Sequence, residues 1–251
     1  MNKVLISFAS GRYIESQRIL EKSAIEFGKV DKVINYDLNY IKSKSFYIKN
    51  KYILDKKRGQ GVWSWKPFII LETLNTLEEG DCVMYLDSGA EIIDNLNPLF
   101  KIAQESSNNG SMLFRLPGGH KNKTWTKRDC FVLTDCDSEK YWNGDLVNGA
   151  ISLWVKNEKN IQFLKEWLRY ARDPRIITDD PLMCGKPNLM EFRDHRHDQS
   201  ILSLMAIKYN LEVWRSPCQW GNEDINKFSN SEYCQLINHH RGDLNQLKNT
   251  Y

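Results

Sequence analysis

The chain of 251 residues has no CxxC pair, no long apolar run, no internal repeat, no low-complexity linker and little net charge. Each absence removes a class of function. The six cysteines (82, 130, 136, 184, 218 and 234) show no zinc-like spacing with the five histidines, so free thiols are expected rather than a metal framework or disulfides. No segment approaches the ~20 apolar residues of a membrane-spanning helix. The opening "MNKVLISFASGRY" has no apolar stretch long enough for a signal peptide, and a cytoplasmic protein is expected. A net charge of +3 is too small to argue for a nucleic-acid partner. One stretch departs from that balance: "KSKSFYIKNKYILDKKR", Lys42 to Arg58, holds seven Lys or Arg against a single Asp. Such a run is ordinarily a solvated face. Its functional version is attraction to an anionic membrane surface or a phosphorylated ligand, which would add a peripheral contact at the inner face of a membrane.

What is present is a globular composition, 41% hydrophobic and 27% charged, with eight tryptophans and eleven tyrosines. Flat amphipathic rings suit sugar faces and nucleobases, and they suit cores equally. At this length the chain fits one large domain with a sizeable core.

The order of elements is that of an α/β domain. "KVLISF" (3–8) is an apolar run of β-formers ending in small residues. A helical stripe follows through Ile14, Ile19, Leu20, Ala24 and Phe27, then a second strand, "KVINY" (32–36). Strand, helix, strand at this spacing implies a parallel sheet with a right-handed crossover. Pro67 sits where a first helical turn tolerates it, and Ile70, Leu71, Leu74 and Leu77 supply a buried face up to Gly80-Asp81. "CVMYLD" then reads as a strand buried on both faces. A helix follows with Asn97 as its cap and Pro98 at its first position, then a strand at 111–115. From Leu116 to Asn148 the pattern breaks up. It resumes with a strand at 150–155, a helix capped by Asn157, an irregular stretch at 175–196, a helix from Asp198, a late strand "LEVW" and a polar tail "LINHHRGDLNQ".

In open α/β sheets, ligands bind beyond the carboxyl ends of the strands. Asp87 stands at such an end, followed by Ser88 and Gly89. A carboxylate held there can bind Mg²⁺ or Mn²⁺, with water and phosphate oxygens filling the remaining positions. A glycine beside it lets a bulky ligand approach the backbone. The plainer explanation is an Asp that caps a turn at the end of a strand.

The pairing of "WSWKP" with strand-"YLDSG", in a chain that begins "ISFASGRY", resembles the bacterial GT-A glycosyltransferases that build capsules and lipopolysaccharides. Several of these carry G-Y-W-x-W-K-P before a D-x-D-like motif; here Val62 replaces the tyrosine and Gly89 the second aspartate. "RHDQSIL" (196–202) and "NHHR" (238–241) are similar to shorter motifs of the same family, the second to its C-terminal metal-binding histidine.

The resemblance implies a GT-A-like, mostly parallel sheet flanked by helices. Residues 1–251 would form a single domain, with a nucleotide-sugar part over about 1–115 and an acceptor part over about 116–251. It implies transfer of a sugar from a UDP- or GDP-sugar to a hydroxyl of a glycan or lipid-linked glycan. Ser7, Ala9, Tyr13, Lys66, Asp87, Ser88 and Gly89 would form the donor site, with Lys66 free to pair with a phosphate. Asp145, Asn148, His195, Arg196 and His197 would meet the acceptor. Asp198 would take the acceptor's proton if the anomeric centre is inverted; its structural alternative is an N-cap. Asp87 with His239 or His240 would hold Mn²⁺ or Mg²⁺. A metal-free route, with Lys66 and neighbouring cations stabilising the leaving group, stays open beside it. The rival readings are a nucleotidyltransferase and a non-catalytic carbohydrate-binding module. The first should show a Gly-rich basic loop where "SFASGRY" has one Gly and one Arg, and the second is commonly all-β.

Overall fold

A computed structural model describes residues 1–105 and 110–243. Its spine is a six-stranded sheet in the order β2-β1-β3-β6-β5-β7, built from β1 (Lys3–Ala9), β2 (Lys32–Asp37), β3 (Cys82–Leu86), β5 (Ser111–Arg115), β6 (Val147–Val155) and β7 (Val213–Trp214). β1 is parallel to β2 and β3, and β7 is parallel to β5. β6 alone runs antiparallel, between β3 and β5. A separate two-stranded antiparallel ribbon pairs β4 (Ala90–Ile92), which follows β3 in the chain, with β8 (Ile237–His239), Ala90 standing opposite His239.

Side chains alternate across the sheet and so build two cores. On one face Val4, Ile6 and Phe8 of β1 and Val83 and Tyr85 of β3 join the helices Trp65–Asn75, Glu158–Ala171 and Asp198–Lys208. On the other, Leu5, Cys82, Met84 and Leu86 join the helices Ile14–Glu26 and Asn97–Glu105. Every residue of β3 is buried, as its uninterrupted apolar run predicts.

The expected elements form, with shifted edges. The Trp65–Asn75 helix stops short of Gly80, its last turn closed by Thr76. The Asn157 side chain caps its helix by accepting from Asn160 N at 2.8 Å. β6 starts three residues before the predicted strand. The broken stretch before it contains three short helices, Asn122–Trp125, Arg128–Leu133 and Glu139–Trp142. The polar tail is the main departure: its start is strand β8, held between Ala90 and the side-chain amide of Gln219, which bonds both the N–H and the C=O of His239. The tail beyond 243 lies outside the described residues.

Candidate active site

β3 carries the chain to Asp87, whose N–H still bonds Ala150 O of β6 at 2.9 Å. The Asp87 carboxylate accepts from Tyr85 Oη at 2.6 Å and is 40% exposed. Gly89 O accepts from the N–H groups of His240 at 2.9 Å and Arg241 at 3.1 Å, so the C-terminal segment is fastened to the Asp-Ser-Gly tip. A Cβ at Gly89 would lie 2.9 Å from Arg241 Cα. The absent side chain therefore makes room for the protein's own backbone, where the sequence pointed to a ligand.

Lys66, in the first turn of its helix, is buried rather than an open phosphate-binding arm. Its ammonium lies 2.8 Å from Asp198 Oδ2, 2.8 Å from Gly149 O and 3.6 Å from Asp87 Oδ1. Asp198 does not serve as an N-cap; it is the first residue of its own helix and points at Lys66. The result is a buried lysine bridging two carboxylates that come from opposite parts of the chain. Burial raises the Asp198 pKa to about 6, against the pull of Lys66. Lys66 itself is held protonated: burial works against its charge, but Asp198 and then Asp87 outweigh it and raise its pKa. Burial and the Asp87 charge keep the Tyr85 hydroxyl protonated, so it remains a donor.

Two cavities meet at this bridge. The smaller, about 620 Å³, is lined by Lys66, Asp87, Gln199 and Asp198, with Trp63, Trp125 and Trp220. The larger, about 920 Å³, is lined by Ala9, Tyr13, Ser88, Gly89 and His239. Trp63, Asp87, Asn148, Arg196, Trp220 and Arg241 line both. Trp63 reaches this position through a left-handed run, with φ of +56, +51, +98, +48 and +55° from Gly59 to Trp63. Three of those five residues carry side chains, each strained by roughly 1–2 kcal/mol. Trp65 is buried in the core, stacked on Phe8 at 3.9 Å, and also borders the larger cavity.

Several predicted residues fall elsewhere. Ser7 is fully buried between Gln17 and Asn35 and borders neither cavity. Asp145 pairs with Lys121 at 2.7 Å and Arg115 at 3.5 Å and lines neither cavity, though its neighbour Leu146 lines the smaller one. His195 is a core residue: Nδ1 accepts from Lys127 N at 3.3 Å and Nε2 donates to Ile176 O at 2.9 Å, leaving no nitrogen for an acceptor sugar. His197 borders the smaller cavity, but it is buried and donates Nδ1–H to Ile177 O at 2.7 Å. Burial holds both rings neutral, lowering their pKa values.

The two C-terminal histidines differ. His239 faces the cavity of Asp87, with a buried Nε2 that has no hydrogen-bond partner. Burial lowers its pKa to about 4, so it presents a neutral imidazole at neutral pH. His240 also has a buried Nε2 without a hydrogen-bond partner, but it borders neither cavity; its Nδ1 accepts from Gly242 N at 3.2 Å, and its charged neighbours are Glu91 and Asp243. Among the described residues no three His, Cys, Asp or Glu side chains gather as a metal cluster. Asp87 and the orphan nitrogen of His239 are a two-donor O/N set that suits Mn²⁺, and Mg²⁺ less well.

The sequence also hid members of the site. Gln199 and Arg241 sit inside the quoted motifs without having been assigned a role. Trp125 and Trp220 lie in stretches with no periodicity to mark a face, and Tyr85 reads only as one more core aromatic.

The chain matches no family model and no curated protein sequence. Solved structures do resemble it. The apo form of mouse xyloside xylosyltransferase 1 superposes with a TM-score of 0.50 at 12% identity, over 95% of this chain and 96% of that one. The galactosyltransferase LgtC in complex with donor and acceptor sugar analogues gives 0.46 at 12% identity, over 94% and 86%. The apo form of the glycosyltransferase GlyE of Streptococcus pneumoniae TIGR4 gives 0.43 at 15% identity, over 96% of this chain and 54% of that one. The mouse enzyme fixes the fold class: this is a GT-A-type α/β domain.

Proposed function

We propose that the protein transfers a glycosyl unit from a nucleoside-diphosphate sugar to a hydroxyl group of a glycan. The observation that carries this reading is the Lys66 bridge, which holds the carboxylates of Asp87 and Asp198 at the meeting of two cavities, both of them lined in part by tryptophans. The larger cavity, bordered by the carboxyl ends of β1 and β3, takes the nucleotide, with Ala9, Tyr13, Ser88 and Gly89 around it. The smaller cavity, the one that Asp198 lines, takes the acceptor, with Trp63, Trp125 and Trp220 as faces for its sugar rings. Residues 1–115 thus supply most of the donor side and the rest of the chain most of the acceptor side.

In the transfer, the acceptor oxygen bonds to the anomeric carbon as the bond from that carbon to the diphosphate oxygen breaks. The acceptor proton passes to Asp198, and the nucleoside diphosphate leaves with the bonding pair. A base that titrates near 6 is ionised at neutral pH yet basic enough to accept that proton. Lys66 holds the buried Asp198 in place and keeps its charge tolerable beside that of the partly exposed Asp87. Asp87 and His239 would hold a divalent cation, which when bound supplies positive charge to the departing diphosphate. The resemblance adds the finer reading: a UDP- or GDP-sugar donor and a capsular or lipopolysaccharide acceptor, free or lipid-linked, met at the inner membrane face.

Incubation with a panel of nucleotide sugars, with release of nucleoside diphosphate followed over time, tests the reading. Release from at least one donor is expected, faster with a matching acceptor. No release from any donor, with or without Mn²⁺, would count decisively against it.

A further inference from the structure

A donor diphosphate brings negative charge to a place where Asp87 and Asp198 already stand. Lys66 does not meet that demand, because its buried ammonium is already shared by Asp198, Gly149 O and Asp87. Two other cations stand where the cavities join. Arg196 lies over the face of Trp125, its guanidinium carbon 4.4 Å from the ring centroid, and Arg241 lies over Trp220 at the same 4.4 Å. Both line both cavities and both are exposed. Neither forms an ion pair among the described residues. Arg58, which borders the smaller cavity, is by contrast taken up by Asp179 and Asp194. A guanidinium over an indole face is attracted to the ring without spending its N–H donors, and its fork of donors matches two phosphate oxygens.

The position of Arg241 depends on Gly89. The space a Cβ at residue 89 would need is occupied by the Arg241 backbone, 2.9 Å from where that Cβ would stand. The chain lacks a second carboxylate at this tip, and the same crowding delivers a cation beside it. One negative charge fewer and one positive charge more both favour an anion at the junction.

The geometry points to a two-arginine clamp: Arg196 and Arg241 grip the diphosphate of the donor from two sides of the junction, and their grip does not require a metal. This rests on the transferase reading above. The clamp makes and breaks no bond; it binds the ground-state diphosphate and stabilises the extra charge that builds on the bridging oxygen as the glycosidic bond breaks.

The test is calorimetric binding of UDP and GDP, in EDTA and in Mn²⁺, to wild type, Arg196→Gln, Arg241→Gln and the double variant. Arg18→Gln, on an exposed helix face and paired with Glu15, controls for the loss of one surface charge. The clamp predicts that one nucleoside diphosphate binds wild type in EDTA, that each single variant binds it about tenfold or more weakly, and that the double variant loses measurable binding. Arg18→Gln should match wild type, inorganic pyrophosphate should compete, and the corresponding nucleoside should bind all variants alike. Unliganded melting temperatures should stay unchanged, since both side chains are exposed. Undiminished binding by the double variant, or wild-type binding that appears only with Mn²⁺, would overturn the clamp and leave the transferase reading in place. A wild type that binds no nucleoside diphosphate in either buffer would overturn both.

Discussion

Residues 1–105 and the loop stretches 116–146 and 175–198 are ordered by different forces. In the first region, strand side chains alternate between two apolar clusters and the helices close over them, so burial of hydrocarbon does the work. In the second, long loops are tied by buried polar groups. Lys127 Nζ donates to the carbonyls of Thr178 and Asp180, both at 3.1 Å. Asp129 accepts from the N–H groups of Met183 at 3.0 Å and Cys184 at 2.7 Å. His195 and His197 hold the Ile176 and Ile177 carbonyls. A loop can be buried only if its backbone finds such partners. The site sits on the seam, with Lys66 and Asp87 from the first region and Asp198 from the second.

Cutting the seam should have the largest effect. Lys66→Met leaves Asp198 buried without its cation, and unfolding in urea should show a loss of roughly 3–5 kcal/mol. Adding Asp198→Leu should restore much of that stability while activity stays absent, because the pair then leaves together. A loss below about 1 kcal/mol in the single variant would mean that the bridge does not join the two regions.

Asp87→Asn probes the same seam through chemistry. Asp87 is partly exposed, and an amide oxygen can still accept from Tyr85, so the melting temperature should hardly move. Turnover should fall by at least about a hundredfold, roughly 3 kcal/mol of transition-state stabilisation. Surviving turnover with a stability loss of about 1 kcal/mol would return Asp87 to the role of a turn cap.

Acid should separate the regions more gently. The folded pKa values of His195, His197, His239 and His240 all lie below the usual histidine value of 6.5, because burial penalises the charged ring. Their neutral, buried forms contribute fully above 6.5, and the contribution drains away as pH falls toward the folded values, about 4 for His239. For His239 alone that is up to about 3 kcal/mol. Asp198 acts in the opposite sense: with its folded pKa raised to about 6, its burial costs stability above that pH and is relieved below it. Hydrogen exchange at pH 5 should therefore show residues 124–127 and 176–197 losing protection before β1 and β3. Uniform loss would show that the polar ties are not the weaker set.

The same contrast explains what could be read from the sequence. "CVMYLD" announces a buried strand because its hydrocarbon has nowhere else to go, and Asn157 announces a helix start because its side chain has a defined local partner. Asp87 was legible as a strand-end carboxylate, and Asp198 as part of a motif. Lys66 was not legible as a buried bridge, since a lysine in a first helical turn is usually wet and its partners lie 21 and 132 residues away. His195 looked like an acceptor contact because the carbonyl it serves, Ile176, is invisible without the fold. The strand at 237–239 was hidden for a related reason: its pairing depends on Gln219, a side chain no local pattern could connect to it.

The central claim, that Asp198 held by Lys66 is the base of a glycosyl transfer, is tested most directly by a pH–rate profile. Nucleoside diphosphate release from the accepted donor should be followed from pH 5 to 8 for wild type and Asp198→Asn. Wild type should gain rate with a single ionisation near pH 6 and then level off. Asp198→Asn should be slower by about 10²–10⁴-fold and lack that limb. An Asp198→Asn enzyme that keeps the wild-type rate and the same limb would contradict the account.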